Sequence, residues 1–213
     1  MFIDRIDAGL QLAEKLMKFK DEDVVVLAIP RGGLPLGAIV AKALTAPLDV
    51  CLTKKIGHPF NKEYAIGAVS LQGTILMDGI EVPKDYIEAE TSRIRQKLKK
   101  RQDQYHKERS PVNLKKKMVI VIDDGIATGN TILATIDLLE KQKPDKIVVA
   151  VPVAPHSAIQ KLKDNPNVNE VICLDTPRNF RAVGQFYEKF DQVVDAEAIQ
   201  LLEDANTSIK TNP

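Results

Sequence analysis

The sequence predicts an α/β fold in which a parallel sheet is flanked by helices, built as one domain over residues 1–213. Short apolar, β-branched runs at 24–29, 48–53, 118–122, 146–153 and 168–174 have the continuous character of strands buried on both faces. Helical patterns at 34–44, 132–140 and 155–163 lie between these runs, the alternation expected of a parallel sheet with crossover helices. Open sheets of this kind bind ligands outside the carboxyl ends of their strands. The loops that follow the strands are therefore where chemistry is sought.

Each element has its own justification. Asp4 can cap a first helix with Asp7 three residues on, and Ile6, Leu10, Ala13 and Met17 form its expected apolar face up to about Phe19. The strand at 24–29 stops at Pro30-Arg31-Gly32-Gly33, and the helix at 34–44 is apolar almost all round, hence buried. The strand at 48–53 ends at Lys54-Lys55-Ile56-Gly57-His58-Pro59, and 64–77 reads as a hairpin turned at Gln72-Gly73. A long, charged helix covers 84–108, with Ile87, Ile94, Leu98 and Tyr105 as a narrow apolar stripe, and Ser110-Pro111 breaks it. Lys97, Lys99, Lys100 and Arg101 lie around its other faces, and a solvated face explains them better than an RNA contact. A last amphipathic helix is expected at 195–204, with a frayed tail at 207–213.

Composition narrows the function classes. Thirty Lys and Arg against 29 Asp and Glu leave the chain near neutrality, so no global basic field argues for a nucleic-acid partner. Cys51 and Cys173 have no metal-ligand spacing and sit in apolar runs, as buried thiols of a reducing compartment do. No apolar signal core opens the chain and no run approaches a membrane span, which points to a cytoplasmic protein without a membrane partner.

One stretch, 118–131, reads MVIVIDDGIATGNT. A buried strand ends at two adjacent carboxylates, Asp123 and Asp124, and small residues then lead into a helix. Backbone N–H groups of such a loop, with the positive end of the helix, form a phosphate site. The carboxylate pair can hold a divalent cation or the hydroxyls of a sugar. A lone Asp-Asp often only caps a helix, but it leaves the order strand, acidic pair, small-residue loop unexplained. No Lys follows the glycines, which excludes a Walker A loop. Arg31, Gly32 and Gly33 end the earlier strand, where N–H groups and a guanidinium can grip a pyrophosphate.

The 118–131 stretch resembles the signature of type I phosphoribosyltransferases: four apolar residues, two acidic ones, then a loop rich in Thr and Gly. With PRGG, KKIGHPFNKEYAIGAV, AVPVAP and AVGQFYEKF the resemblance extends over most of the chain, to a bacterial group of phosphoribosyltransferases of unsettled acceptor. It implies a type I sheet carrying a small hood and a long helical insertion. It also implies that 5-phosphoribose moves from phosphoribosyl pyrophosphate (PRPP) to a nucleobase-like nitrogen, releasing pyrophosphate. Asp123 and Asp124 would serve the ribose hydroxyls and Mg²⁺, and Arg31, Gly32 and Gly33 the pyrophosphate. Ile126, Ala127, Thr128, Gly129, Asn130 and Thr131 would hold the 5-phosphate, and Lys54 and Lys55 resemble a basic position that contacts PRPP. The helix at 84–109 occupies the slot of the family's flap, and 175–190 is the candidate hood, with Phe180 and Tyr187 as base-facing rings. Glu63 is the nearest guess for a general base. Enzymes for 6-oxopurines place a second Asp in the phosphate loop where this chain has Ala127. A non-catalytic regulator sensing PRPP or a nucleotide is the alternative, a hydrolase using water as acceptor a third reading, and a homodimer stays open.

Overall fold

The strand that carries the acidic pair lies at the centre of the main sheet. The computed structural model describes the backbone of residues 1–77, 79, 81–107 and 109–210, and the side chains of these except 63 and 208–210. In chain order the elements are α1 (Arg5–Leu16), β1 (Val24–Ala28), α2 (Gly33–Leu44), β2 (Leu48–Val50), β3 (Lys54–His58), β4 (Asn61–Val69) and β5 (Thr74–Leu76). There follow α3 (Lys84–His106), β6 (Met118–Ile122), α4 (Asn130–Glu140), β7 (Lys146–Val153), α5 (His156–Lys163), β8 (Glu170–Asp175) and α6 (Asp195–Lys210).

Five strands form a parallel sheet in the order β2-β1-β6-β7-β8, with Ala28 opposite Ile122 and Ile122 opposite Ala150. β1 and β6 therefore end level while β7 runs on to Val153, and the loops after all three open on the same edge. Alternate residues of each strand feed two cores. Val24, Val26, Ala28, Ile120 and Ile122 face the layer of α1, α2 and α6, while Val25, Leu27, Val119 and Val121 face the layer of α4 and α5. A run apolar on every position is what such a two-sided strand requires.

The segment between β2 and β6 forms a second unit. Strands β3, β4 and β5 make an antiparallel sheet, and Ile56, Ile66 and Val69 from it pack on Ile94 and Leu98 of α3. The hairpin at Gln72-Gly73 is present, with Val69 opposite Thr74. Lys54 and Lys55 lie within β3 and not in a loop at the end of β2, because β2 stops at Val50. A second hairpin, with His58 opposite Asn61, was hidden by Pro59, which reads as a breaker. The predicted end of the long helix at 108 lies outside the described residues, and α3 ends at His106. At the other end of the chain α6 continues to Lys210 where fraying was expected from Thr207, and 211–213 lie outside the described residues.

Helix α1 is capped as expected, with the Asp4 carboxylate accepting from Ile6 and Asp7 N–H groups, yet it buries a different face. Ala8, Gly9, Leu12, Ala13 and Leu16 turn inward, while Ile6, Leu10 and Met17 are 50%, 59% and 40% exposed. Both sets have helical spacing. The small one wins because α2 approaches closely there: a Cβ on Gly9 would stand 3.2 Å from the Leu36 backbone. Both cysteines are free thiols, Cys51 buried and Cys173 half-buried. Burial, helped by the charge of Asp49, pushes the Cys51 thiol up to about 12.

Asp49, buried on β2, ties the second unit to the sheet. Its carboxylate accepts from His106 Nε2 at 2.7 Å and from the Val112 N–H at 2.7 Å. Burial opposes a charge on His106, but the hydrogen bond and charge of Asp49 outweigh it and hold its pKa above the ordinary 6.5. The stabilisation from the protonated ring is thus complete below the unfolded value of about 6.5 and is lost as pH rises through the higher folded value. Melting temperature should accordingly fall as pH rises above about 6.5 in the parent and fall less in His106→Gln. Equal slopes in the two proteins would count against this pair as the source.

Candidate active site

The end of β6 brings two loops and a carboxylate pair to one place. After Ile122 the chain runs Asp123, Asp124, Gly125 and Ile126, and the Ile126 N–H bonds to the Val153 carbonyl at 2.9 Å, which anchors the loop to β7. Gly129 precedes α4 with φ +80°, a left-handed conformation that side chains disfavour. Among the described residues, the backbone N–H groups of Ala127, Thr128, Gly129, Asn130 and Thr131 have no hydrogen-bond acceptor. Ala127, Thr128, Asn130 and Thr131 are exposed, so this row of donors at the start of a helix is open to an anion.

On the other side stands the loop after β1. Gly32 lies directly against Asp124: a Cβ there would sit 2.0 Å from Asp124 Oδ2, so only glycine lets loop and carboxylate meet. Arg31 leans toward the start of α6, its NH1 3.9 Å from Asp195 Oδ1. Asp195 also faces Arg101 at 3.4 Å and accepts from the Tyr105 hydroxyl at 3.3 Å. The open donors of 127–131 thus adjoin the acidic pair in sequence, and Gly32 adjoins it in space.

The pair itself is asymmetric. Asp123 accepts the Asp124 N–H at 2.9 Å, and burial, then the charge of Asp124, raise its carboxyl well above the ordinary 3.8. Asp124 is also raised, by burial, against the opposing hydrogen bond and charge of Arg5. Arg5 reaches it from α1, with Nε 2.9 Å and NH2 2.8 Å from Oδ2. Sequence reasoning missed Arg5: the contact spans 119 positions, and an Arg beside a cap reads as surface charge.

A phosphoribosyl transferase domain model matches residues 3–191. The chain belongs to the phosphoribosyl transferase domain family. Two Mycobacterium tuberculosis proteins, provisionally named phosphoribosyl transferases, are each 37% identical to it over 211 residues, covering 97% of this chain and 47% of theirs. The chain thus spans about half the length of these relatives. A crystal structure of a Thermus thermophilus protein is 38% identical with a TM-score of 0.86, covering 95% of this chain and 98% of that one.

Within this phosphoribosyl transferase domain, the remaining candidates fall in distinct places. The candidate hood does meet the site, with Val183 so close to Gly125 that a Cβ there would lie 2.5 Å from its Cγ1. Phe180 is half-buried and stacks on Phe186 at 5.1 Å. Tyr187 is buried, only 6% exposed, between Phe2 and Phe190, and its hydroxyl donates to the Asp124 carbonyl at 2.6 Å. Its ring therefore braces the carboxylate loop from within and presents no open face. Lys54 and Lys55 are exposed on β3, and the Glu63 side chain lies outside the described residues. Among the described residues no helix is long and apolar enough to cross a membrane.

The asymmetry makes a stability prediction. A carboxyl with a raised folded pKa weighs against the fold once pH exceeds that value, since the unfolded chain ionises freely. Asp123→Asn keeps the acceptor for the Asp124 N–H and removes the buried charge, so it should raise the melting temperature at about pH 8. Asp124→Asn removes a carboxyl that is raised less and leaves Arg5 without its anion, so it should lower the melting temperature. Equal shifts of the same sign in both variants, measured by thermal melting, would contradict this division.

Proposed function

We propose that this chain transfers 5-phosphoribose from PRPP to a nitrogen of a nucleobase-like acceptor and releases pyrophosphate. The observation that carries the reading is the row of unpartnered N–H groups from Ala127 to Thr131 in the loop that follows the acidic pair, with Gly32 packed against Asp124. A ligand with a phosphate at one end, a diol in the middle and a pyrophosphate at the other matches that order. The donors from Ala127 to Thr131 hold the 5-phosphate and so fix the reacting carbon, an entropic advantage, while the Ile126 N–H, expected among them, is spent on the Val153 carbonyl. Asp123 and Asp124 orient the ribose hydroxyls and favour the positive charge that develops on the ribosyl ring as its bond to pyrophosphate breaks. Arg31 and the N–H group of Gly32 take up the charge of the leaving group, whereas the Gly33 N–H, expected to share this role, is spent on the Ile29 carbonyl at 3.0 Å. In this reading Arg31 exchanges Asp195 for the pyrophosphate.

The residues present fit Mg²⁺ in one specific way. Among the described residues no group of three or more His, Cys, Asp or Glu could hold a metal, and one oxygen of Asp124 is taken by Arg5. Asp123 and Asp124 would supply at most part of a shell that phosphates and water complete, as Mg²⁺ prefers. Bound so, the ion would neutralise charge on the departing pyrophosphate.

Acceptor choice falls to the 175–190 segment, with Phe180 as its aromatic surface and Tyr187 reassigned to bracing Asp124. With Ala127 in the phosphate loop, no carboxylate from that loop meets the edge of a 6-oxopurine, so adenine or a pyrimidine-like ring is favoured over hypoxanthine or guanine. Lys54 and Lys55 remain candidates for PRPP only if β3 approaches the site when ligand binds. The regulatory reading needs basic surface for nucleic acid, and α3 supplies little: Lys99 pairs with Asp103 at 2.9 Å and Arg101 with Asp195.

Pyrophosphate release from PRPP and Mg²⁺ across a nucleobase panel tests the proposal. Turnover should appear with one base class, Asp123→Asn should lower kcat by about 10²-fold or more, and Phe180→Ala should raise the acceptor KM with little change in the PRPP KM. Release without any base would mark a hydrolase. No release with any acceptor, together with PRPP-dependent binding of an oligonucleotide, would replace the enzyme with a sensor.

A further inference from the structure

Arg5 ties together parts of the chain that are far apart in sequence. Besides the two contacts to Asp124 Oδ2, its NH1 donates to the Asp191 carbonyl at 2.6 Å, and its guanidinium carbon stands 3.9 Å from the centre of the Phe190 ring. The side chains of Arg5 and Asp124 are 11% and 14% exposed. An exposed ion pair fixes little, whereas a forked, stacked and largely desolvated guanidinium fixes the orientation of its carboxylate.

The backbone around Arg5 is held to the same segment. The Phe2 N–H bonds to the Phe186 carbonyl at 2.8 Å, and the Glu188 and Lys189 N–H groups bond to Phe2 and Ile3 carbonyls at 2.9 Å each. The Asp4 cap then sets where α1 begins, and with it where Arg5 points. On its far side Asp124 rests on Gly32, with no room for a Cβ between them.

We infer that Arg5 is a positioning residue for the ribose part of the site: it holds the Asp124 carboxylate in place and fastens the 186–191 strap to that same point. This rests on the transferase reading above, and Arg5 acts through Asp124 without touching the reacting atoms. Asp124 has one oxygen engaged by Arg5 and its backbone carbonyl engaged by Tyr187, so its freedom is removed before substrate arrives. Preorganised partners of this kind, when lost, typically weaken a site by about 10- to 100-fold.

The test is calorimetric binding of three ligands in the presence of Mg²⁺: PRPP, ribose 5-phosphate and inorganic pyrophosphate. Arg5→Gln should weaken PRPP and ribose 5-phosphate by about tenfold or more while leaving pyrophosphate within about twofold, since the proposed pyrophosphate grip lies on Arg31 and Gly32. Arg5→Lys, which keeps the charge and loses the fork, should recover part of the loss. In an Asp124→Asn background the same Arg5→Gln change should add less than about twofold. If Arg5→Gln does not fold, Arg5→Lys decides: a several-fold loss for the ribose ligands alone supports the proposal. Equal weakening of all three ligands, full loss in the Asp124→Asn background, or unchanged binding in Arg5→Lys with Arg5→Gln unfolded overturns it. A parent protein that binds neither PRPP nor ribose 5-phosphate overturns the transferase reading and this proposal with it. Parental binding that both Arg5 variants retain overturns the proposal alone.

Discussion

Asp124 is held from three directions, and the architecture of the site follows from that constraint. Arg5 grips one carboxylate oxygen, Gly32 lies against the same group, and Tyr187 bonds to the backbone carbonyl. Each partner comes from a different region: α1, the loop after β1, and the segment before α6. A carboxylate buried beside another carboxylate is costly unless it is paired. Arg5 supplies that pairing for Asp124, and Asp123 keeps a raised pKa beside it. Both carboxyls are raised by burial, Asp124 less so because Arg5 pairs it.

The level ends of β1 and β6 turn this local constraint into a site. Parallel pairing from Val24 opposite Met118 to Ala28 opposite Ile122 delivers both loops to one edge. Helix α4 then begins behind Gly129 with its first N–H groups open, and α2 begins behind Gly32. The open donors are a consequence of where α4 starts on a parallel sheet, whereas the first N–H groups of α2 are taken by the Ile29 and Arg31 carbonyls. The second sheet and α3 attach at the β2 edge through Asp49 and His106, and at α6 through Tyr105 and Arg101 meeting Asp195. The insertion therefore reaches the residue that Arg31 also faces, which connects it physically to the loop after β1.

The parts of this arrangement that were legible in the sequence are those governed by local rules. β6 and β7 lie at Met118–Ile122 and Lys146–Val153, as read from their unbroken apolar runs, and the stripe of Ile94, Leu98 and Tyr105 is buried as its spacing required. The two loops with their glycines were legible because backbone chemistry at strand ends has a residue signature. What escaped depends on tertiary placement. α1 offers two apolar faces of helical period, and only the approach of α2 at Gly9 selects between them. Arg5 is paired across 119 positions, and no local pattern announces such a contact. Tyr187 was read as a base-facing ring because aromatic clustering alone cannot separate a pocket wall from a packed interior; Phe2, at the opposite end of the chain, covers it.

The central claim is that one ligand spans both loops across the acidic pair. A crystal structure of the protein with PRPP and Mg²⁺ measures this most directly. The account predicts the 5-phosphate on the N–H groups of Ala127 to Thr131, the ribose hydroxyls at Asp123 and Asp124, and the pyrophosphate against Arg31 and Gly32, with Arg31 drawn away from Asp195. PRPP found elsewhere, or lying across the pair with neither loop touching a phosphate, would contradict it.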